Sequence, residues 1–135
     1  MTLEHVAIWT ADLERLKTYY ESWFGAQPNN KYTNADTGFE SYFLTFASGA
    51  RLEMMSRPCI PPNKNDTVRQ QHLGLIHLAF SMDTIREVDD KAAQLQNAGF
   101  NILRGPRKTG DGYYEFETLD PDNNRIEVTA RFVDP

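Results

Sequence analysis

Leu3-Glu4-His5-Val6-Ala7-Ile8 and Leu75-Ile76-His77-Leu78-Ala79-Phe80 are two copies of one short pattern, with their histidines 72 positions apart. The likeness extends outward from that pair. Ser48-Gly49-Ala50-Arg51-Leu52-Glu53-Met54 resembles Asp122-Asn123-Asn124-Arg125-Ile126-Glu127-Val128, and Gly38-Phe39 resembles Gly112-Tyr113, both at an offset of 74. Chance supplies one such match readily. Three of them in order mark an internal duplication.

Each half reads the same way. Residues 3–9 and 75–81 are apolar-rich, with a histidine or small residue at alternate positions, and predict strands. A helix follows each. The first is predicted from an N-cap at Asp12 to Gly25, burying Leu13, Leu16, Tyr20 and Trp23 or Phe24. The second opens on the capping box Thr84-x-x-Glu87, buries Ile85, Val88, Ala92 and Leu95, and ends at Gly99. Three strand-like runs close each half, near 30–33, 39–47 and 50–56, then near 100–104, 113–119 and 125–131. The expected fold is therefore α+β: two βαβββ repeats, each a curved four-stranded mixed sheet with a helix on its convex face. One domain spans 1–135, with modules at 1–56 and 75–135 and a connector at 57–74 that carries Pro58, Pro61 and Pro62.

Composition narrows the function classes. With 14 Lys+Arg against 19 Asp+Glu the 135-residue chain carries a formal charge of −5, and it has no basic block. That argues against nucleic acid, whose binding rests on phosphate neutralisation. No apolar run reaches the ~20 residues of a membrane helix, and the N-terminus lacks a signal-peptide pattern. The lone Cys59 excludes a disulfide framework and a cysteine zinc cluster, and suits the cytoplasm. What remains is a small soluble cytosolic domain.

Alternation along the strands places the chemistry. Val6 and Ile8 share the face that the helix covers, which leaves His5 and Trp9 opposite. By the same parity His77, then Arg51, Glu53 and Met55, then Arg125 and Glu127 all fall on the face away from the helices. If each sheet curls, that face is a cup holding His5, Glu53, His77 and Glu127. Two imidazoles and two carboxylates there suit a divalent first-row metal, with coordination positions left for water or substrate. A single strand histidine is more often structural; four such residues at equivalent positions of two repeats are not.

The layout resembles the vicinal oxygen chelate superfamily, which holds glyoxalase I, extradiol dioxygenases, and fosfomycin and bleomycin resistance proteins. The resemblance rests on Glu4-His5-Val6-Ala7-Ile8, Ala50-Arg51-Leu52-Glu53, Ile76-His77-Leu78-Ala79-Phe80 and Asp120-Pro121-Asp122-Asn123-Asn124-Arg125-Ile126-Glu127. The last is similar to the family's Asp-Pro-Asp-Gly turn, with Asn123 in the glycine's place; asparagine tolerates the left-handed backbone. The ligand set His5, Glu53, His77, Glu127 is similar to glyoxalase I. The resemblance thus implies a lyase or isomerase moving a proton on a metal-chelated oxygen substrate, with Glu127 as the base and Glu53 ligating and sharing the shuttle. Zn²⁺, Ni²⁺ or Co²⁺ is expected ahead of Mn²⁺ or Fe²⁺. An Fe²⁺ extradiol-type dioxygenase using His5, His77 and Glu127 is the alternative, and a metal-free antibiotic-binding protein a weaker one.

Further expectations concern substrate and assembly. Trp9, Phe43 and Met55 would form an apolar wall, and Tyr113 and Glu115 would face the cup beside Glu117. Arg107 and Lys108 would meet an anionic substrate, although exposed charges near a turn are more often plain surface. Glyoxalase I proteins resembling this chain use an arginine for glutathione where Trp9 stands, and an indole cannot replace a bidentate guanidinium. Glutathione use is therefore not expected. A four-stranded half leaves an open edge, and the resemblance implies a homodimer that completes each cup at the subunit interface.

Overall fold

In the computed structural model, which describes residues 1–132, the chain forms two compact units that divide between Asn63 and Lys64. Unit 1 contains β1 (His5–Trp9), α1 (Leu13–Phe24), β2 (Gln27–Pro28), β3 (Tyr32–Asn34), β4 (Phe39–Thr45) and β5 (Arg51–Ser56). The Asp12 side chain caps α1 by accepting from the Arg15 amide at 3.0 Å. Gly25, in the left-handed conformation at φ 65°, closes it, and the Ala26 amide returns to the Tyr20 carbonyl. Leu13, Leu16, Tyr19 and Tyr20 of α1 pack into a core with Tyr42, Leu44, Leu52 and Met54. Every second residue of β4 and β5 thus faces the helix, as period-two alternation requires.

The sheet runs β1-β5-β4-β2, with β3 also on β4. Where one strand was expected near 30–33 the chain makes two short ones, so this sheet has five strands instead of four. The cause is local. Pro28 has no amide to donate, and the Asn29 side chain accepts the Phe43 amide at 2.8 Å, which a continuing strand would otherwise claim.

Unit 2 contains β6 (His77–Ser81), α2 (Ile85–Asn97), β7 (Ile102–Lys108), β8 (Tyr113–Leu119) and β9 (Arg125–Arg131), in the sheet order β6-β9-β8-β7. The capping box forms as predicted: Thr84 Oγ1 accepts the Glu87 amide while the Glu87 carboxylate accepts the Thr84 amide at 2.8 Å. Val88, Ala92 and Leu95 bury against Phe116, Ile126 and Val128. Thr118, fully buried on the same face, donates to the Asn101 carbonyl at 2.7 Å. The strand expected near 100–104, β7, extends to Lys108, with register shifts against β8 on the way. At the β8–β9 turn one Asp120 oxygen accepts the amides of Asp122 and Asn124, and Asn123 takes φ 63°. The left-handed place expected of Asn123 is thus occupied.

Both sheets share one logic. In each, the first strand lies parallel to the last (β1 on β5, β6 on β9), and the last pairs antiparallel with the strand before it. Neither sheet closes on itself. The 57–74 stretch has no strand or helix; residues 57–63 belong to unit 1 and 64–74 to unit 2. No helix among the described residues is long and apolar enough to cross a membrane.

Candidate metal centre

In unit 1, parallel pairing sets His5 beside Arg51, Ala7 beside Glu53 and Trp9 beside Met55. Antiparallel pairing sets Phe43 beside Glu53 and Ser41 beside Met55. Paired residues project to the same side, so all of these share the face away from α1. There His5 Nε2 lies 3.4 Å from Glu53 Oε2. The other ring nitrogen, Nδ1, meets the Glu4 carboxylate, which also accepts from Arg51. The hydrogen bond from His5, and then that from Arg51, hold the Glu4 carboxyl below its ordinary range. A carboxylate on Nδ1 directs the lone pair of Nε2 outward, the arrangement in which histidine ligates a metal. Phe43 packs edge-on to His5 at 5.3 Å, and Arg51 lies over the Phe43 ring at 4.2 Å. Along the same face Trp9, 39% exposed, meets Phe39 edge-on at 6.1 Å, with the Arg57 guanidinium 5.4 Å from its ring.

Unit 2 repeats the pair with a richer surround. His77 Nε2 lies 3.5 Å from Glu127 Oε2. Glu117 faces Glu127 across the β8–β9 ladder, and Glu115 faces Thr129. Donor atoms of His77, Glu117 and Glu127, one from each, lie within 4.8 Å of one another. Two of the three carboxylates have a guanidinium: Arg107 is 3.4 Å from Glu115, and Arg125 is 3.5 Å from Glu117. Glu127 pairs with His77 and is hydrogen-bonded to the Glu115 side chain, and among the described residues it has no guanidinium. Burial raises its carboxyl above the ordinary value first, the charge of Glu115 next, and His77 opposes both. Two positions along β9, the Thr129 hydroxyl is buried with no hydrogen-bond partner among the described residues.

The sequence-predicted residues divide accordingly. His5, Glu53, Phe43, Met55 and Trp9 gather on one face of unit 1, and His77, Glu127, Glu115 and Tyr113 on one face of unit 2. Arg107 is a strand residue paired with Glu115, and Lys108 lies 3.8 Å over the Phe132 ring. Neither is a bare turn charge. Glu117 and Arg125 lie on the open face where alternation expects them, and the structure adds their pairing with each other; Glu4 emerges only from the structure. Alternation with Glu115 and Glu127 was the signal for Glu117; Glu4 precedes its strand, so parity could not place it.

Imidazole nitrogens and carboxylate oxygens fit a divalent first-row ion. Two ligands of one ion stand at most about 4.2 Å apart, twice a metal–ligand bond of about 2.1 Å. The His5–Glu53 and His77–Glu127 separations both meet that limit.

Comparison with known proteins agrees with this architecture. An uncharacterized protein, YqjT, of Bacillus subtilis (strain 168) is 25% identical over 135 residues, covering 95% of this chain and 98% of the relative. A glyoxalase family protein from Bacillus cereus superposes with a TM-score of 0.80 at 13% identity, covering 98% of this chain and 95% of its own. The trypanothione-dependent glyoxalase I of Leishmania major does so with 0.73 at 19% identity, covering 96% and 86%. At those identities the structural neighbours establish the shared fold. A family profile matches residues 2–128. By that match the chain belongs to the Glyoxalase/Bleomycin resistance protein/Dioxygenase superfamily.

Proposed function

We propose that the protein is a metal-dependent lyase or isomerase of the glyoxalase type, with His5, Glu53, His77 and Glu127 as its metal ligands. The observation that carries this reading is the recurrence of one His–Glu pair, 3.4 Å apart in unit 1 and 3.5 Å in unit 2, on equivalent strands. When bound, a divalent ion such as Zn²⁺, Ni²⁺ or Co²⁺ would polarise a substrate oxygen and acidify the adjacent C–H. The chain's own residues do the rest. Glu127, which has no guanidinium beside it among the described residues, takes the proton at a carboxylate oxygen and returns it to the neighbouring carbon. Glu4 holds the His5 ring, and Arg107 and Arg125 hold Glu115 and Glu117. Trp9, Phe43 and Met55 form an apolar wall for the substrate, and the guanidinium over Trp9 suits one that is flat and anionic. Arg107 and Lys108 are proposed, with Arg57, as the cations that meet it. A panel of 2-oxoaldehyde–thiol adducts and related enolisable carbonyl compounds, assayed with each metal, tests the reading; failure of all of them to turn over would end it.

Within that panel the methylglyoxal–glutathione adduct is expected to show weak or no turnover, because Trp9 occupies the place of the glutathione-binding arginine. A rate on the order of 10² per second or more would refute the inference from Trp9.

The working form is proposed to be a homodimer in the cytoplasm, with each site shared across the subunit interface. Mixing a His5→Ala/Glu53→Ala chain with a His77→Ala/Glu127→Ala chain, each inactive alone, should then restore about half of wild-type turnover per mixed dimer. A mixture that stays inactive means that each site is built within one chain.

A further inference from the structure

The two repeats differ in kind at the position across the ladder from the glutamate. In unit 1 the cross-strand neighbour of Glu53 is Phe43; in unit 2 the neighbour of Glu127 is Glu117, 74 positions after Phe43. The arginine beside each position is kept. Arg51 stacks on Phe43 at 4.2 Å, whereas Arg125 stands 3.5 Å from Glu117 with both side chains at least nine-tenths buried. The framework therefore accepts an aromatic ring under an arginine at this place, and packing does not require a carboxylate. Burying a carboxylate is costly even when a cation accompanies it. A second carboxylate beside Glu127, with Glu115 also on the same face, raises that cost by mutual repulsion. A bound cation offsets it.

We propose that Glu117 is a third donor from unit 2, so that His77, Glu117 and Glu127 hold a divalent cation without His5 and Glu53. This rests on the metal reading above and deepens it. The donor atoms lie within 4.8 Å of one another, at most about 0.6 Å beyond the span of two ligands on one ion, a gap that side-chain rotation closes on binding. The set is one imidazole and two carboxylates on adjacent strands. A carboxylate has two oxygens and about four lone-pair directions, so the oxygen turned to Arg125 leaves the other for the ion. Arg125 also donates to the Thr67 carbonyl at 2.7 Å. Its guanidinium is thus fixed in place, and it aims Glu117 without following it. Unit 1, with Phe43 in the matching position, contributes two donors and an apolar edge. The two half-sites are unequal: one anchors the ion, the other adds ligands and shapes the substrate wall.

The test is a titration of chelator-stripped, full-length protein with Zn²⁺ in competition with a chromophoric chelator. Wild type and His5→Ala/Glu53→Ala are each expected to bind one Zn²⁺ per chain, the variant more weakly. Glu117→Gln is expected to weaken Zn²⁺ binding at least tenfold. Glu117→Asp, which keeps the charge opposite Arg125 but withdraws the oxygens, should do the same and guards against misfolding of the first variant. Weakening of less than tenfold in folded Glu117 variants, or loss of Zn²⁺ from His5→Ala/Glu53→Ala, overturns the inference while leaving the four-ligand reading intact. Wild type that binds no Zn²⁺ overturns both. If neither Glu117 variant folds, the His5→Ala/Glu53→Ala arm decides, because it leaves unit 2 unchanged.

Discussion

Glu127→Gln should lower turnover by roughly 10²- to 10⁴-fold, the range a general base contributes, while the protein remains folded. Glutamine keeps the volume and one oxygen but cannot accept the proton. The side chain is on the open face of β9 and its neighbours Ile126 and Val128 form the core, so the change leaves the packing alone. Glu53→Gln should act differently. Glu53 faces Phe43 and lies beside His5, with no second carboxylate across its ladder, so its loss should weaken metal binding more than it slows a saturated enzyme. Steady-state kinetics at saturating metal on whichever substrate turns over, with circular dichroism as the folding control, checks both. More than a tenth of wild-type turnover in Glu127→Gln would assign the base elsewhere.

Arg125→Met should destabilise the protein by about 3–5 kcal/mol, the usual consequence of stripping one partner from a buried ion pair. The guanidinium, whose side chain is 7% exposed, faces Glu117 at 10%. It also donates to the main-chain carbonyls of Thr67, Val68 and Gln70. Removing it leaves a buried carboxylate uncompensated and unties the 67–70 segment from β9. The repeat supplies an internal control. Arg51, at the equivalent position, is 39% exposed and lies over a phenyl ring, so Arg51→Met should cost no more than about 1 kcal/mol. Urea denaturation measures the pair of values, and amide exchange at 67–70 reports the untied segment. Equal losses at the two arginines would mean that the Glu117 pairing contributes nothing.

Much of this arrangement was legible in the sequence because strands impose a period of two on whatever they carry. Once Val6, Ile8, Leu52 and Met54 are assigned to the helix side, His5, Glu53 and Trp9 have nowhere else to go, and β1 and β5 put them there. Asp12, Thr84 and Glu87 announced their helices because caps act locally, through hydrogen bonds three residues away. What escaped depends on partners distant in sequence or on chain outside a regular element. The split of one expected strand into β2 and β3 turns on the Asn29 side chain accepting the Phe43 amide, a bond spanning fourteen residues. The strand position of Arg107 escapes the sequence because β7 extends past residue 104 only through register shifts, which no alternation signals. Glu117 was visible as a residue on the open face; its standing as a donor depends on the ladder that sets it against Glu127. Glu4 lies one residue before β1, where parity says nothing.

Metal content after equilibrium dialysis tests the central claim most directly. Stripped wild-type protein dialysed against Zn²⁺ or Ni²⁺, then analysed for bound ion, should hold one ion per chain. The folded His5→Ala/His77→Ala variant should hold less than a tenth of that. Full retention of the ion after loss of both histidines would contradict the account.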